Sequence, residues 1–131
     1  MLAAAVPATC EPGVRLNYIC DVERPEDLVA IPGTRFIVTS GFAPGAGLKL
    51  VDTEAHRATL WFTGGPGQID ADRARYPSCP GPVDPKLFNA RGLALRRTGE
   101  GRWSLHVVNH GGRESIEVFD VILVGATPRL V

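Results

Sequence analysis

Short runs of apolar and β-branched residues, separated by Gly- and Pro-containing turns, recur along the chain and predict β-strands. The first four runs lie at residues 27–31, 35–40, 48–52 and 58–62. Turn residues such as Pro32-Gly33 end them before a helical period can develop. These runs predict one four-stranded antiparallel meander.

A second set of four runs lies at residues 92–96, 103–108, 115–120 and 127–131. The two sets align pairwise: 27–30 with 92–95, 35–40 with 104–109, and 48–52 with 116–120. A repeated meander is typical of propeller blades. The pattern therefore predicts an all-β fold of antiparallel four-stranded meanders, about two blades of an incomplete β-propeller.

The same pattern predicts the organisation of the chain. It predicts an N-terminal extension at 1–22, a first blade at 23–63, a long Gly/Pro-rich insertion loop at 64–90 and a second blade at 91–131. A helical turn is expected near residues 70–75 of the insertion. Because propellers close with roughly 4–8 blades, we expect two blades to be the N-terminal part of a longer protein, truncated within the last strand.

The composition limits the kinds of molecule that the chain is expected to bind. Lys plus Arg total 14 and Asp plus Glu total 14, so no long-range field attracts nucleic acid. No apolar run reaches the ~18–20 residues of a transmembrane helix. Residues 1–8 are apolar without a basic residue, which favours an unstructured N-terminus over the tail of a signal peptide. An extracytoplasmic location stays open.

Three cysteines, Cys10, Cys20 and Cys79, form no C-x-x-C pair, which argues against a zinc or redox motif. A Cys10–Cys20 disulfide with a free Cys79 fits an exported protein. Alternatively, one of the three pairs with a cysteine that is absent from this chain, and the sequence leaves both open.

Adjacent carboxylates, Glu26 and Asp27, precede the first strand. Carboxylate oxygens suit Ca²⁺, which takes 6–8 oxygen ligands. Alternation along a strand sends the two side chains in different directions, so they fit two ions, or one ion and solvent. A solvated pair at a strand start is the alternative.

The order of elements around residues 88–93, 105–110 and 115–119 resembles the second blade of paraoxonase-type propellers, the calcium-dependent lactonases and arylesterases. The bacterial gluconolactonase-like branch is the most similar, through Cys-Pro-Gly-Pro at 79–82 and Val-Val-Asn-His-Gly-Gly-Arg-Glu-Ser at 107–115. The resemblance covers residues 23–131.

The resemblance implies calcium ligands. Glu26 matches a ligand of the catalytic calcium and Asp27 a ligand of the structural calcium, to which the backbone carbonyl of Leu93 is added. The family's other ligands lie on later blades. Two carboxylates and a carbonyl cannot fill two coordination spheres, so we expect poor calcium affinity.

The resemblance also implies a pair of histidines that activates water. Arg91 stands at the position of the first histidine, and an arginine stays protonated and cannot act as a base. Arg91 can still stabilise an oxyanion or bind a carboxylate. His110 matches the second histidine, and with arginine at position 91 we expect it to lack a group that orients it.

These residues predict a fragment of a calcium-dependent lactonase or arylesterase-like hydrolase that acts weakly, or not at all, on a small ester or lactone. The alternative is a non-catalytic β-sheet module for binding or assembly, in which exposed blade faces associate with another copy or another chain.

Overall fold

The computed structural model describes residues 12–131, and none of these residues is helical. Eight β-strands follow one another along the chain. Their bounds are β1 Leu28–Ala30, β2 Phe36–Thr39, β3 Lys49–Asp52, β4 Arg57–Leu60, β5 Ala90–Gly99, β6 Arg102–Asn109, β7 Ser115–Val124 and β8 Thr127–Leu130. The predicted strands are all present, and β5 and β7 are longer than the sequence pattern indicated.

The strands form two separate four-stranded sheets, β1-β2-β3-β4 and β5-β6-β7-β8. Every pairing is antiparallel between neighbours in sequence. Neither sheet closes into a barrel. This arrangement confirms the all-β prediction of two antiparallel meanders, and it is consistent with part of a propeller.

The segment between β4 and β5 is irregular and corresponds to the predicted insertion. It contains two helix-like hydrogen bonds: the Tyr76 N–H donates to the Asp72 carbonyl at 2.8 Å, and the Phe88 N–H donates to the Asp84 carbonyl at 2.9 Å. The expected helical turn at 70–75 is therefore a turn that does not extend into a helix. The insertion returns to the core at Val83, which is buried.

One hydrophobic core joins the two sheets. It includes Val38 of β2, Leu48 just before β3, and Leu105 and Val121 of the second sheet, all fully buried. At its centre lie the rings of Phe62, Phe88 and Phe119, with centroids 5.1–6.2 Å apart. Tilted and edge-on rings at this spacing add to the burial energy, so the two sheets are packed as one unit.

Cys20 is disulfide-bonded and Cys79 is a free thiol. Cys10 and the apolar residues 1–8 lie outside the described residues. Among residues 12–131 there is no helix long and apolar enough to cross a membrane.

Candidate functional site

Asp27 joins the two sheets where β1 lies beside β5. Its Oδ2 accepts a hydrogen bond from the Leu93 backbone N–H at 2.7 Å, across 66 positions of sequence. Its Oδ1 accepts the Leu28 N–H at 2.8 Å. Bonds from amides to a carboxylate are among the stronger protein hydrogen bonds, so this side chain fixes the distance between the first strands of the two sheets.

The backbone of Asp27 is held as firmly as its side chain. Its carbonyl accepts the Ser40 N–H and the Thr39 hydroxyl, both at 3.0 Å. Its N–H donates to the Ser40 Oγ at 3.2 Å. The backbone of Asp27 is therefore held by Thr39, the last residue of β2, and by Ser40, while its side chain bonds to β5.

The residues assigned to calcium lie in one region of the molecule. Asp27 and Leu93 are in contact, through the Leu93 amide nitrogen, and the role given to the Leu93 carbonyl stays a prediction. Glu26 is the neighbour of Asp27 and is exposed to solvent. No group of three or more His, Cys, Asp or Glu side chains within residues 12–131 is arranged to hold a metal ion.

Arg91 lies over an aromatic ring. Its guanidinium carbon is 3.3 Å from the centroid of the Phe42 ring. Its Nε donates to the Asn89 Oδ1 at 3.4 Å. The cation–π contact with the ring and the hydrogen bond orient the guanidinium group. The arginine thus presents a fixed positive charge, which suits an anion and not the removal of a proton.

His110 has a partner, which corrects the expectation that nothing orients it. Its Nδ1 pairs with Glu114, four residues further along the chain. The contact between Nδ1 and the carboxylate orients the imidazole ring. The partner of His110 is therefore a carboxylate of its own turn, whereas Arg91 contacts Phe42 and Asn89.

The turn after β6 is organised by Asn109, a residue that the sequence analysis passed over in favour of His110. The Asn109 side chain is completely buried. Its Oδ1 accepts from the Asn89 and Gly111 amides at 3.0 and 2.9 Å. Its Nδ2 donates to the carbonyls of Gly111 and Arg113, each at 3.0 Å. One side chain thus satisfies the buried backbone that carries His110.

Beside this turn, Arg113 and Glu117 form a bidentate ion pair with distances of 2.7 and 2.9 Å. The Ser115 hydroxyl donates to the same carboxylate at 2.7 Å. The hydrogen bond from Glu117 raises the pKa of the Arg113 guanidinium above its usual value. Fork-shaped pairs of this kind fix geometry as well as charge, so the start of β7 is rigid.

Sequence reasoning missed Phe42, Asn89, Glu114 and the Arg113–Glu117 pair. Glu114 and Glu117 had a signal in the printed sequence, since each follows its partner by four residues. Phe42 had none, because it reaches Arg91 only through the fold.

Neither a family model, nor a curated protein, nor a solved structure matches this chain. The geometry of the site and the resemblance in its motifs are therefore the grounds for a functional proposal.

Proposed function

We propose that this chain carries one part of the site of a calcium-dependent ester or lactone hydrolase of the paraoxonase-like type, and that alone it is at most a weak hydrolase. The contact between the Asp27 carboxylate and the Leu93 backbone at 2.7 Å carries the proposal. The resemblance assigned these two residues to the same ion from positions on different blades, and they are neighbours in the structure.

The donors fit calcium by type and not by number. Glu26 and Asp27 supply carboxylate oxygens, which calcium prefers. Both Asp27 oxygens already accept a backbone amide, and a single ion requires about six oxygens or more. The oxygen donors of Glu26 and Asp27 are therefore too few to hold a calcium ion by themselves. What the chain itself supplies is the fixed cation of Arg91 and the carboxylate-paired His110.

Calcium binding tests the ligand assignment. We expect millimolar calcium to raise the melting temperature of the chain slightly, since an incomplete site has a dissociation constant of about 10⁻³ M or weaker. Glu26→Gln should reduce this shift. The matched control is Glu100→Gln, because Glu100 is also exposed and lies at the far end of β5. If calcium raises the melting temperature equally in the parent and in both variants, Glu26 is not a calcium ligand.

Hydrolysis tests the claim of weak activity. The purified chain, assayed with phenyl acetate and with a γ-lactone in the presence of calcium, should show little turnover above background. The reason is that arginine at position 91 cannot accept a proton. Robust calcium-dependent hydrolysis would overturn this part of the proposal.

A non-catalytic module for binding or assembly is the second candidate, and the exposure of two apolar side chains on the outer strands of the first sheet, Leu28 and Leu60, favours it.

A further inference from the structure

Arg91 lies at a β-bulge near the start of β5. The pairing of β5 with β6 shifts register between Ala90 and Leu93. Over this interval Arg91 and Gly92 lie opposite a single residue of β6, and a bulge of this kind changes the direction of the side chains that it carries. The Arg91 guanidinium accordingly contacts Phe42, which lies in the loop after β2 and not in a strand.

The terminal nitrogens of Arg91 have no acceptor among residues 12–131. The guanidinium has two interactions there, the hydrogen bond from Nε to the Asn89 Oδ1 at 3.4 Å and the contact with the Phe42 ring. Neither interaction uses Nη1 or Nη2. Because the ring and the amide hold the group in place, both terminal NH₂ groups keep their capacity to donate in a fixed orientation.

Asn89 places a second donor beside the guanidinium. This residue exposes only 9% of its surface, and its Oδ1 faces the Arg91 Nε, so its Nδ2 lies next to the same group. Nδ2 has no hydrogen-bond partner in the described part of the chain. Among the described residues, the buried side-chain nitrogen that lacks a partner and is sealed from solvent is Trp103 Nε1. The Asn89 Nδ2 can therefore be reached by a ligand.

We propose that Arg91 and Asn89 form a binding site for the carboxylate of a small organic acid. Donors without acceptors favour an anion, and the two NH₂ groups of an arginine match a planar carboxylate through parallel hydrogen bonds. The Asn89 Nδ2 donates to the same carboxylate. The ligand carries a single negative charge, because the Asp27 carboxylate, bonded to Leu93 two residues beyond Arg91, repels a second one.

The body of the acid is apolar. Phe42 is 45% exposed although the Arg91 guanidinium carbon lies 3.3 Å from its ring centroid, so part of the ring is available for contact with a ligand. An aromatic acid such as benzoate meets both requirements. Binding a carboxylate needs neither calcium nor a base, so this site does not depend on the hydrolase activity proposed above.

Sodium benzoate, added to the full 131-residue protein, tests the proposal. In an NMR titration at neutral pH, the signals of the Arg91 Nε–H and the Asn89 side-chain amide should shift until saturation, with a dissociation constant of about 1 mM. Benzamide has the same shape without the charge, and sulfate is a dianion that is not planar. Each should bind about tenfold more weakly than benzoate. Binding of either one as tightly as benzoate would overturn the proposal.

Substitution of Arg91 tests the site from the side of the protein. Arg91→Gln removes the charge and one of the two guanidinium NH₂ groups, and should weaken benzoate binding about tenfold or more. The matched control is Arg96→Gln, because Arg96 is exposed on the same strand and its loss changes the net charge equally. The control should bind benzoate as the parent does. An equal loss of affinity in the two variants would reduce the effect to net charge and refute the site.

Asn89→Asp tests the second donor. The change keeps an oxygen facing the Arg91 Nε and replaces the free NH₂ with a carboxylate oxygen, which repels the ligand and competes for the guanidinium. Benzoate binding should be lost, and binding with the affinity of the parent would contradict the role of Asn89. Circular dichroism checks that each variant folds. Should a variant fail to fold, the comparison of benzoate with benzamide and sulfate on the parent protein still decides the question.

Discussion

The turn that joins β6 to β7 depends on a few residues with very little freedom. Asn109 fills its hydrogen-bonding capacity with backbone groups. Gly111, inside the same turn, lies so close to the 87–89 segment that a Cβ added there would be 1.6 Å from the Leu87 carbonyl oxygen. Neither position tolerates a larger group without movement of the backbone. Because Asn109 and Gly111 flank His110, they fix the position of its backbone.

Gly111→Ala should destabilise the protein by about 3 kcal/mol or more, because the clash is with backbone and cannot be relieved by a rotamer change. The free energy of unfolding in urea measures the effect. Gly99→Ala is the control, since a Cβ there meets side-chain atoms of Arg102 no closer than 3.7 Å. If the free energy of unfolding falls equally in the two variants, the turn can shift to accommodate a Cβ at position 111.

Asp52 should make stability depend on acid pH. Hydrogen bonds from the Ala55 and Glu54 amides and the pairing with Arg35 hold the pKa of this carboxyl below its ordinary value. A lowered folded-state pKa means that the stabilisation is present above the unfolded pKa and is lost as the pH falls through the folded one. Asp52→Asn should therefore be less stable than the parent at neutral pH, with the difference closing below about pH 4.

Urea unfolding at several pH values measures this difference. Asp70→Asn is a matched control, because Asp70 is exposed and makes no hydrogen bond or ion pair with the rest of residues 12–131. A gap between parent and Asp52→Asn that stays constant from neutral to acid pH would contradict the assignment.

Single-residue roles were the hardest to predict from sequence. The sequence predicted that arginine occupies the position of the first histidine at residue 91, and that arginine cannot act as a base there. Its contact with Phe42 was not predicted, because 49 positions separate the two and only the approach of the sheets brings them together. In the same way, His110 was found by its motif, while Glu114 and Asn109 were revealed by the packing of the turn.

Between elements, the contact of β1 with β5 rests on a side chain that bonds to a main chain. Asp27→Ala should speed hydrogen exchange of the Leu93 amide by about 10- to 100-fold, since a hydrogen bond to a charged group contributes roughly 1.5–3 kcal/mol. The Val107 amide, in the interior of the same sheet on β6, should change little. Exchange of the two amides accelerated to the same extent would mean that the whole sheet had loosened.

The elements themselves were largely predictable. Alternating apolar residues, β-branched runs and Gly or Pro turns located all eight strands and their order, because these signals are local. The lengths of β5 and β7 were underestimated. β5 continues through Arg96 and Arg97 to Gly99, where the pairing with β6 shifts register, and exposed polar residues at a strand end carry no hydrophobic signal.

For the whole molecule, one core serves both sheets, so they should unfold together. Phe88→Ala removes a fully buried ring from the cluster with Phe62 and Phe119. We expect a loss of about 3–5 kcal/mol and a single unfolding transition in which protection falls in both sheets. Val124→Ala, at a half-exposed position, should cost about 0.5 kcal/mol or less. Two separate transitions would show that the sheets are independent.

The meander topology has a consequence for the order of events during synthesis. Strands pair only with their neighbours in sequence, so the first sheet can form before the second has left the ribosome. Until Phe88 and Phe119 arrive, however, the apolar side of that sheet, with Val38 and Leu48, has nothing to cover it. We therefore expect the nascent chain to expose the apolar side of the first sheet to water until the second sheet is made, and such exposed surfaces are prone to aggregation.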